Sequence, residues 1–204
     1  MRYLYLPLIA CAALLVSGCD NLAPTNAPEQ SAAPAVPVSA PPQPDRFEEL
    51  QSTLDQEVEQ ARAAQQEAVD AMQKLPPRQR ATAGDVQIKD VEITDSQSGE
   101  TRTLHALQSV SVTLPLAAKR RPEYDHAMEA LKNLANALAD SRGSSSIVVD
   151  QAQADVRAHR VNTATGTTQT SNGKPVTVLK NIDRALPRGA ERYTIQAGEL
   201  HDQP

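Results

Sequence analysis

The side chains with chemistry to offer are two cysteines, four histidines, a serine triplet and one basic run. Cys19 closes an apolar stretch directly after Ser17-Gly18, and a thiol there is a nucleophile able to form a thioether. His105, His126, His159 and His201 show no metal-ligand spacing, so a zinc site would have to use histidine and carboxylate alone. His126 follows Asp125 on a predicted helix, where both are expected to face solvent. His105 and His159 fall in predicted strands and could meet in a sheet, but the habits of histidine favour a surface role for each. Ser144-Ser145-Ser146 lacks the Gly-x-Ser-x-Gly elbow of a nucleophile and reads as a polar loop. There is no phosphate loop and no dinucleotide fingerprint. These residues predict no catalytic site, no metal and no cofactor.

Lys119-Arg120-Arg121 stands out from the acidic background. It precedes a predicted helix N-terminus, where positive charge is unfavourable by about 0.3–1 kcal/mol. Arg78 and Arg80 make a sparser basic point beside Pro76-Pro77. The run could contact anionic headgroups, glycan-linked carboxylates or an acidic protein; the alternative is a solvated loop. Nucleic acid is not an expected partner, because 20 Lys+Arg against 25 Asp+Glu leave the chain at −5.

The elements that hold these residues begin with a secretory signal over residues 1–18. Arg2 supplies the positive end, and the apolar run from Leu4 to Val16 is too short to span a bilayer, which takes about 20 residues. Leu15-Val16-Ser17-Gly18-Cys19 resembles the lipobox of bacterial lipoproteins. The resemblance implies cleavage before Cys19, a diacylglyceryl group on its sulfur and an acyl chain on the new amine. Cys11 would leave with the signal, so the mature chain would hold neither a disulfide nor a free thiol. It would carry 19 Lys+Arg against 25 acids, a net charge of −6. Two or more acyl chains anchor a protein stably where one is marginal. Asp20 resembles the residue that retains enteric lipoproteins in the inner membrane. That membrane is the one expected, on its periplasmic side; sorting by Asn21 and Leu22 leaves the outer membrane open.

Residues 19–44 read as a disordered linker: seven prolines fall among Ala, Ser, Gln and Val between positions 20 and 44. As polyproline II, at about 3.1 Å per residue, it would reach roughly 75 Å. Residues 45–75 predict a long Ala-rich amphipathic helix, opened by Asp45 and Glu48 as a capping box and stopped by Pro76-Pro77. Phe47, Leu54, Ala61, Ala68 and Leu75 recur every seven residues, with Leu50, Val58, Ala64 and Met72 between them. An alanine-rich seam buries little area, which favours packing on its own domain or a partner over a self-standing coiled coil.

Residues 81–200 predict an α+β domain, an antiparallel sheet with one main helix on a face. Val86, Ile88, Val91 and Ile93 mark a strand whose parity changes around Asp90, which predicts a bulge there. Ser98-Gly99 turns the chain, and Val110, Val112 and Leu114 alternate on the next strand. The helix over residues 123–141 carries the stripe Tyr124, Ala127, Met128, Leu131, Leu134, Ala135 and Leu138, and Gly143 ends it. A strand from Ile147 towards Val161 and a type I′ hairpin at Asn172-Gly173 follow, with Val176, Val178 and Ile182 on the second arm. Tyr193, Ile195 and Ala197 make the last strand.

The layout is similar to that of OmpA-type peptidoglycan-binding lipoproteins, whose Thr-Asp and Leu-Ser-x-x-Arg-Ala signatures grip a peptide stem. Here Val149-Asp150 is followed by a strand-like stretch, and the arginine motif is missing, so that function does not carry over. The expected function is that of a membrane-anchored, periplasm-facing lipoprotein acting as a non-catalytic adaptor or accessory factor for an envelope protein. The alternatives are an inhibitor or immunity protein against a periplasmic toxin, and a small hydrolase using His105 or His159. Oligomeric state is left open.

Overall fold

A computed structural model describes residues 45–96 and 98–200. The expected signal, Cys19, Asp20, the linker and His201 lie outside the described residues. The elements are α1 (Arg46–Ala71), β1 (Thr82–Thr94), β2 (Thr101–Pro115), α2 (Pro122–Arg142), β3 (Ser145–Ala152), α3 (Gln153–Arg157), β4 (Gly166–Gln169), β5 (Pro175–Asp183) and β6 (Ala190–Ala197). They form an α+β fold, with six strands in the order β1-β2-β6-β3-β5-β4. Both long helices contribute to one core with the inward residues of β2, β3, β5 and β6.

The Asp45 carboxylate caps α1 by accepting the Phe47 amide at 3.1 Å. Glu48 gives its own amide to the Asp45 carbonyl and adds first-turn negative charge. The helix ends at Ala71, where a turn at Met72 takes over before Pro76-Pro77. The seven-residue stripe is buried from Phe47 through Leu75, and Val58 and Met72 are buried with it. Its occupants are β2 and α2 of the same chain, so the helix is laid on its own sheet. Alanine at 61 and 68 suits that role, because small side chains let a helix axis approach its neighbours closely.

α2 starts with Pro122 at its first turn and stops at Gly143, whose φ of 81° lies in the left-handed region that glycine enters freely. Its expected stripe is buried, with Met128 half-buried at the margin. In the β1–β2 hairpin the irregularities fall between Ala83 and Val86 and between Gln87 and Ile88, earlier than Asp90. At the second, Gln87 faces Ser109 and Ile88 faces Leu107, so Gln108 is the extra residue. The shift brings Val86 to the main core and Val91 and Ile93 to a smaller one with Phe47, Leu54 and Leu104.

The sheet is mixed rather than wholly antiparallel. β3 runs parallel to β5 and antiparallel to the central strand β6. The reason lies after Ala152, where the chain turns into α3 instead of extending towards Val161. Ala, Gln and Arg favour the helix there, and the fully buried Asp155 accepts the Gly189 amide at 2.6 Å. Leaving the sheet lets the chain return as the β4–β5 hairpin with β5 beside β3. That hairpin turns over residues 170–174, with Gly173 at φ 75° and Asn172 at negative φ, which is not a type I′ turn.

Candidate functional site

The basic run does not act as a unit. It follows a 3-10 turn at Leu116–Ala118, and the Lys119 ammonium lies 3.5 Å from Oε2 of Glu191. Arg120 and Arg121 are exposed. Glu191 is 1% exposed on β6 and is the centre of a polar network. The Tyr193 hydroxyl donates to its Oε2 at 2.9 Å and accepts from the Tyr124 hydroxyl, also at 2.9 Å. Gln151 donates to Oε1 at 3.0 Å and to the Asn162 carbonyl at 2.8 Å. Burial pushes Tyr124 up to about 12 and Tyr193 further, and burial lowers Lys180 beside them. The Gln151 side-chain oxygen and Oδ1 of Asp155 are buried without a hydrogen-bond partner.

A second buried charge pair joins α1 to α2. Arg142 Nε donates to both oxygens of Glu57, at 3.1 and 2.9 Å, and Nη2 bonds Oε2 as well. Ser141 donates to Oε1 at 2.6 Å. A cleft of about 500 Å³ opens beside this pair, under the first turns of α1 and the end of the β1–β2 hairpin.

The histidines stay apart. His105 on β2 pairs with Asp90 at 2.7 Å, both exposed, and His126 on α2 lies 3.4 Å from Glu67 of α1. His159 is exposed in the turn after α3 at φ 52°, not in a strand. Among the described residues, no three His, Cys, Asp or Glu side chains are grouped to hold a metal. Ser145 and Ser146 open β3 rather than a loop, bonding the Ala135 carbonyl and Gln196. Arg80 donates to the Leu75 carbonyl at 2.9 Å, and Arg78 is exposed. No described helix is long and apolar enough to cross a membrane.

The sheet face away from α1 and α2 is the candidate binding surface. Val110, Val112, Leu114, Tyr193 and Ile195 point to the core, so the alternate residues Ser109, Ser111, Thr113, Arg192, Thr194 and Gln196 point the other way. A cluster of Ala152, Leu186 and Ala190 closes one end of it. Towards β1, where the register shifts between Ala83 and Val86, Gly84, Asp85 and Gln87 border a shallow hollow of about 460 Å³ with Ser109, Ser111 and Gln196. Arg192, about 40% exposed, lies 3.3 Å from Asp183 and 3.9 Å from Asp150. Ser111 stabilises the bulge by accepting the Asp85 amide at 3.0 Å. Glycine is required at 84, since a Cβ there would sit 2.3 Å from the Ser111 hydroxyl.

Sequence reasoning missed the buried acids Glu57 and Glu191, although a signal for each was present. Glu57 lies three residues after Leu54 and four before Ala61, on the apolar stripe, and Glu191 shares the parity of Tyr193 and Ile195. An acid on the inward face of an element needs a buried partner.

Together these features define an α+β sandwich of one mixed sheet and two helices, whose face away from the helices is polar on β2 and β6 and carries Val148 and the exposed Leu179 on β3 and β5. In comparisons with family models, with curated proteins and with solved structures, nothing matches this chain.

Proposed function

We propose that this protein is a tethered, non-catalytic binding module of the bacterial envelope, held by acyl chains on Cys19 and facing the periplasm from the inner membrane. The lipobox-like Leu15-Val16-Ser17-Gly18-Cys19 and Asp20 support the attachment. The proline-rich residues 20–44 supply the reach. The observation that carries the binding role is the uncovered sheet face, since the opposite face of the same sheet is packed with apolar side chains from both long helices. The buried acids hold the fold together: Glu57 binds α2 to α1, and Glu191 ties β6 to β3 and α2. A tether of this kind gives the domain an effective concentration near millimolar at its membrane, so modest affinity suffices.

Two measurements test the reading. Mass spectrometry of the natural product should find a diacylglyceryl and an N-acyl group on Cys19, and Cys19→Ser should release the protein from membranes. A photo-cross-linker at Thr194 should capture an envelope component in cells, whereas one at His126 on the helix side should not. An unmodified Cys19, or equal capture from both faces, refutes the proposal.

A further inference from the structure

We infer that the free edge of β1 pairs with itself: two copies of this chain join antiparallel through residues 85–89, so that their sheets become one. The strand is 13 residues long and pairs with β2 alone among the described residues, whereas the opposite edge, β4, has four residues. Hydrogen bonds around β2 show which backbone groups of β1 face outward. The Gln51 side chain accepts from the His105 amide at 3.0 Å and donates to the His105 carbonyl at 3.2 Å. Both groups therefore point away from β1, and His105 stands opposite Asp90 in a pair without mutual hydrogen bonds. At the hairpin end the Asp95 amide donates to the Glu100 carbonyl at 2.8 Å, which sets the same phase. Alternation then turns the amides and carbonyls of Val86, Ile88 and Asp90 to the open edge, a row that a further strand can take up. The row begins at Val86, because the register shift lies before it and the Gly84 carbonyl already accepts from Gln65 at 3.0 Å.

The sequence of the edge specifies its occupant. Reversed against itself about Gln87, the stretch Asp85-Val86-Gln87-Ile88-Lys89 sets Asp85 opposite Lys89 twice, Val86 opposite Ile88 twice, and Gln87 opposite its own copy. A twofold axis through Gln87 also fits the ladder. Val86 and Ile88 face out and become the hydrogen-bonded pairs, with about four new backbone bonds. Matched side chains fall on matching faces. On the helix side Val86 packs on the core, and Ile88, 45% exposed, is one of three large apolar side chains left exposed among the described residues. Val86 of the second copy would cover it. On the other side a lysine at an edge ordinarily turns a further strand away, but here Lys89 meets Asp85 of the second copy. Other centres lose the match. About Ile88, Lys89 faces Gln87 and Asp85 faces Val91; about Asp90, two aspartates meet. Five paired residues make a small interface, so the dimer should be weak, with a Kd on the order of 100 μM. The inference stands on the strand itself and does not depend on attachment through Cys19 or on a partner for the sheet face.

Sedimentation velocity of the full chain in density-matched detergent tests it. From about 10 μM to 1 mM the natural chain should pass reversibly from monomer to dimer. Lys89→Asp and Asp85→Lys each set like charges opposite at two places and should weaken the dimer about tenfold or more. Mixing these two variants should restore pairing as a heterodimer in which every acid meets a lysine. The exchange Asp85→Lys/Lys89→Asp within one chain should restore it as well. Either recovery also shows that the single variants are folded, and melting temperatures check this separately. The inference fails if the natural chain stays monomeric to about 1 mM, if the single variants dimerise as tightly as the natural chain, or if neither the mixture nor the exchange recovers the dimer. A cross-link from Thr194 to an envelope component would be unaffected by any of these results, so the binding-module reading is judged apart.

Discussion

Arg142→Met leaves the Glu57 carboxylate on the inside of the molecule with its main partner gone. The two side chains are 2% and 6% exposed, so water does not replace what is lost. Arg142 contributes every hydrogen bond to Oε2 and one to Oε1, while the Ser141 hydroxyl stays on Oε1 at 2.6 Å. Breaking a buried pair from one side costs about 3–5 kcal/mol; the surviving hydroxyl places this case near the lower figure. For a domain of this size, about 3 kcal/mol corresponds to a fall in Tm of roughly 6–12 °C. Glu57→Leu should cost a similar amount by stranding the guanidinium, which would keep only the Gly198 carbonyl at 3.4 Å. The double variant Glu57→Leu/Arg142→Met replaces the pair with apolar groups of similar bulk and should lie within about 1 kcal/mol of the natural chain. Urea denaturation of the Cys19→Ser protein, followed by circular dichroism, measures all four corners of the cycle. Single losses below about 1 kcal/mol, or a double variant as unstable as the sum of the singles, would refute this account of what holds α1 to α2.

Alkaline pH should act through the tyrosine pair. Burial raises Tyr124 to about 12 and Tyr193 beyond that, so the folded chain keeps protons that the unfolded chain releases near 10. Stability is therefore full below pH 10 and drains away as pH rises through about 12; urea midpoints against pH should show this limb, and Tyr124→Phe/Tyr193→Phe should flatten it. Asp45→Ala removes the α1 cap and should lower stability by about 1 kcal/mol, measured the same way. Leu138→Ala, at a fully buried site of α2, should cost about 2–5 kcal/mol and leave the far-UV spectrum unchanged below the transition. Gly84→Ala drives a methyl into Ser111 and should cost about 1–3 kcal/mol, with altered amide shifts along the bulge.

What could be read from the sequence was set by local periodicity. The seven-residue stripe of α1, the four-residue rhythm of α2 and the alternation of Val110, Val112 and Leu114 each specify an element and its inward face. The α+β class follows from those elements. Where tertiary contacts override local preference the reading slipped. Residues 153–157 look extended when followed from Val149, and they turn helical where Asp155 can meet the Gly189 amide, 34 positions away. The parallel β3–β5 pair depends on that departure, and the bulge at Gln108 depends on a register that neither strand encodes alone. The sheet face escaped notice because Ser, Thr and Gln form no motif in one strand; they become a surface when β2 and β6 lie side by side.

The helix that receives the chain from the N-terminal side is also a wall of the core. A tug on that end therefore loads the Phe47 to Leu75 seam and the Glu57–Arg142 pair. Displacing that helix would bare Val110, Val112 and Leu114, which are fully buried beneath it. The seating of one alanine-rich helix, the first of the described elements, thus keeps that apolar stripe out of water.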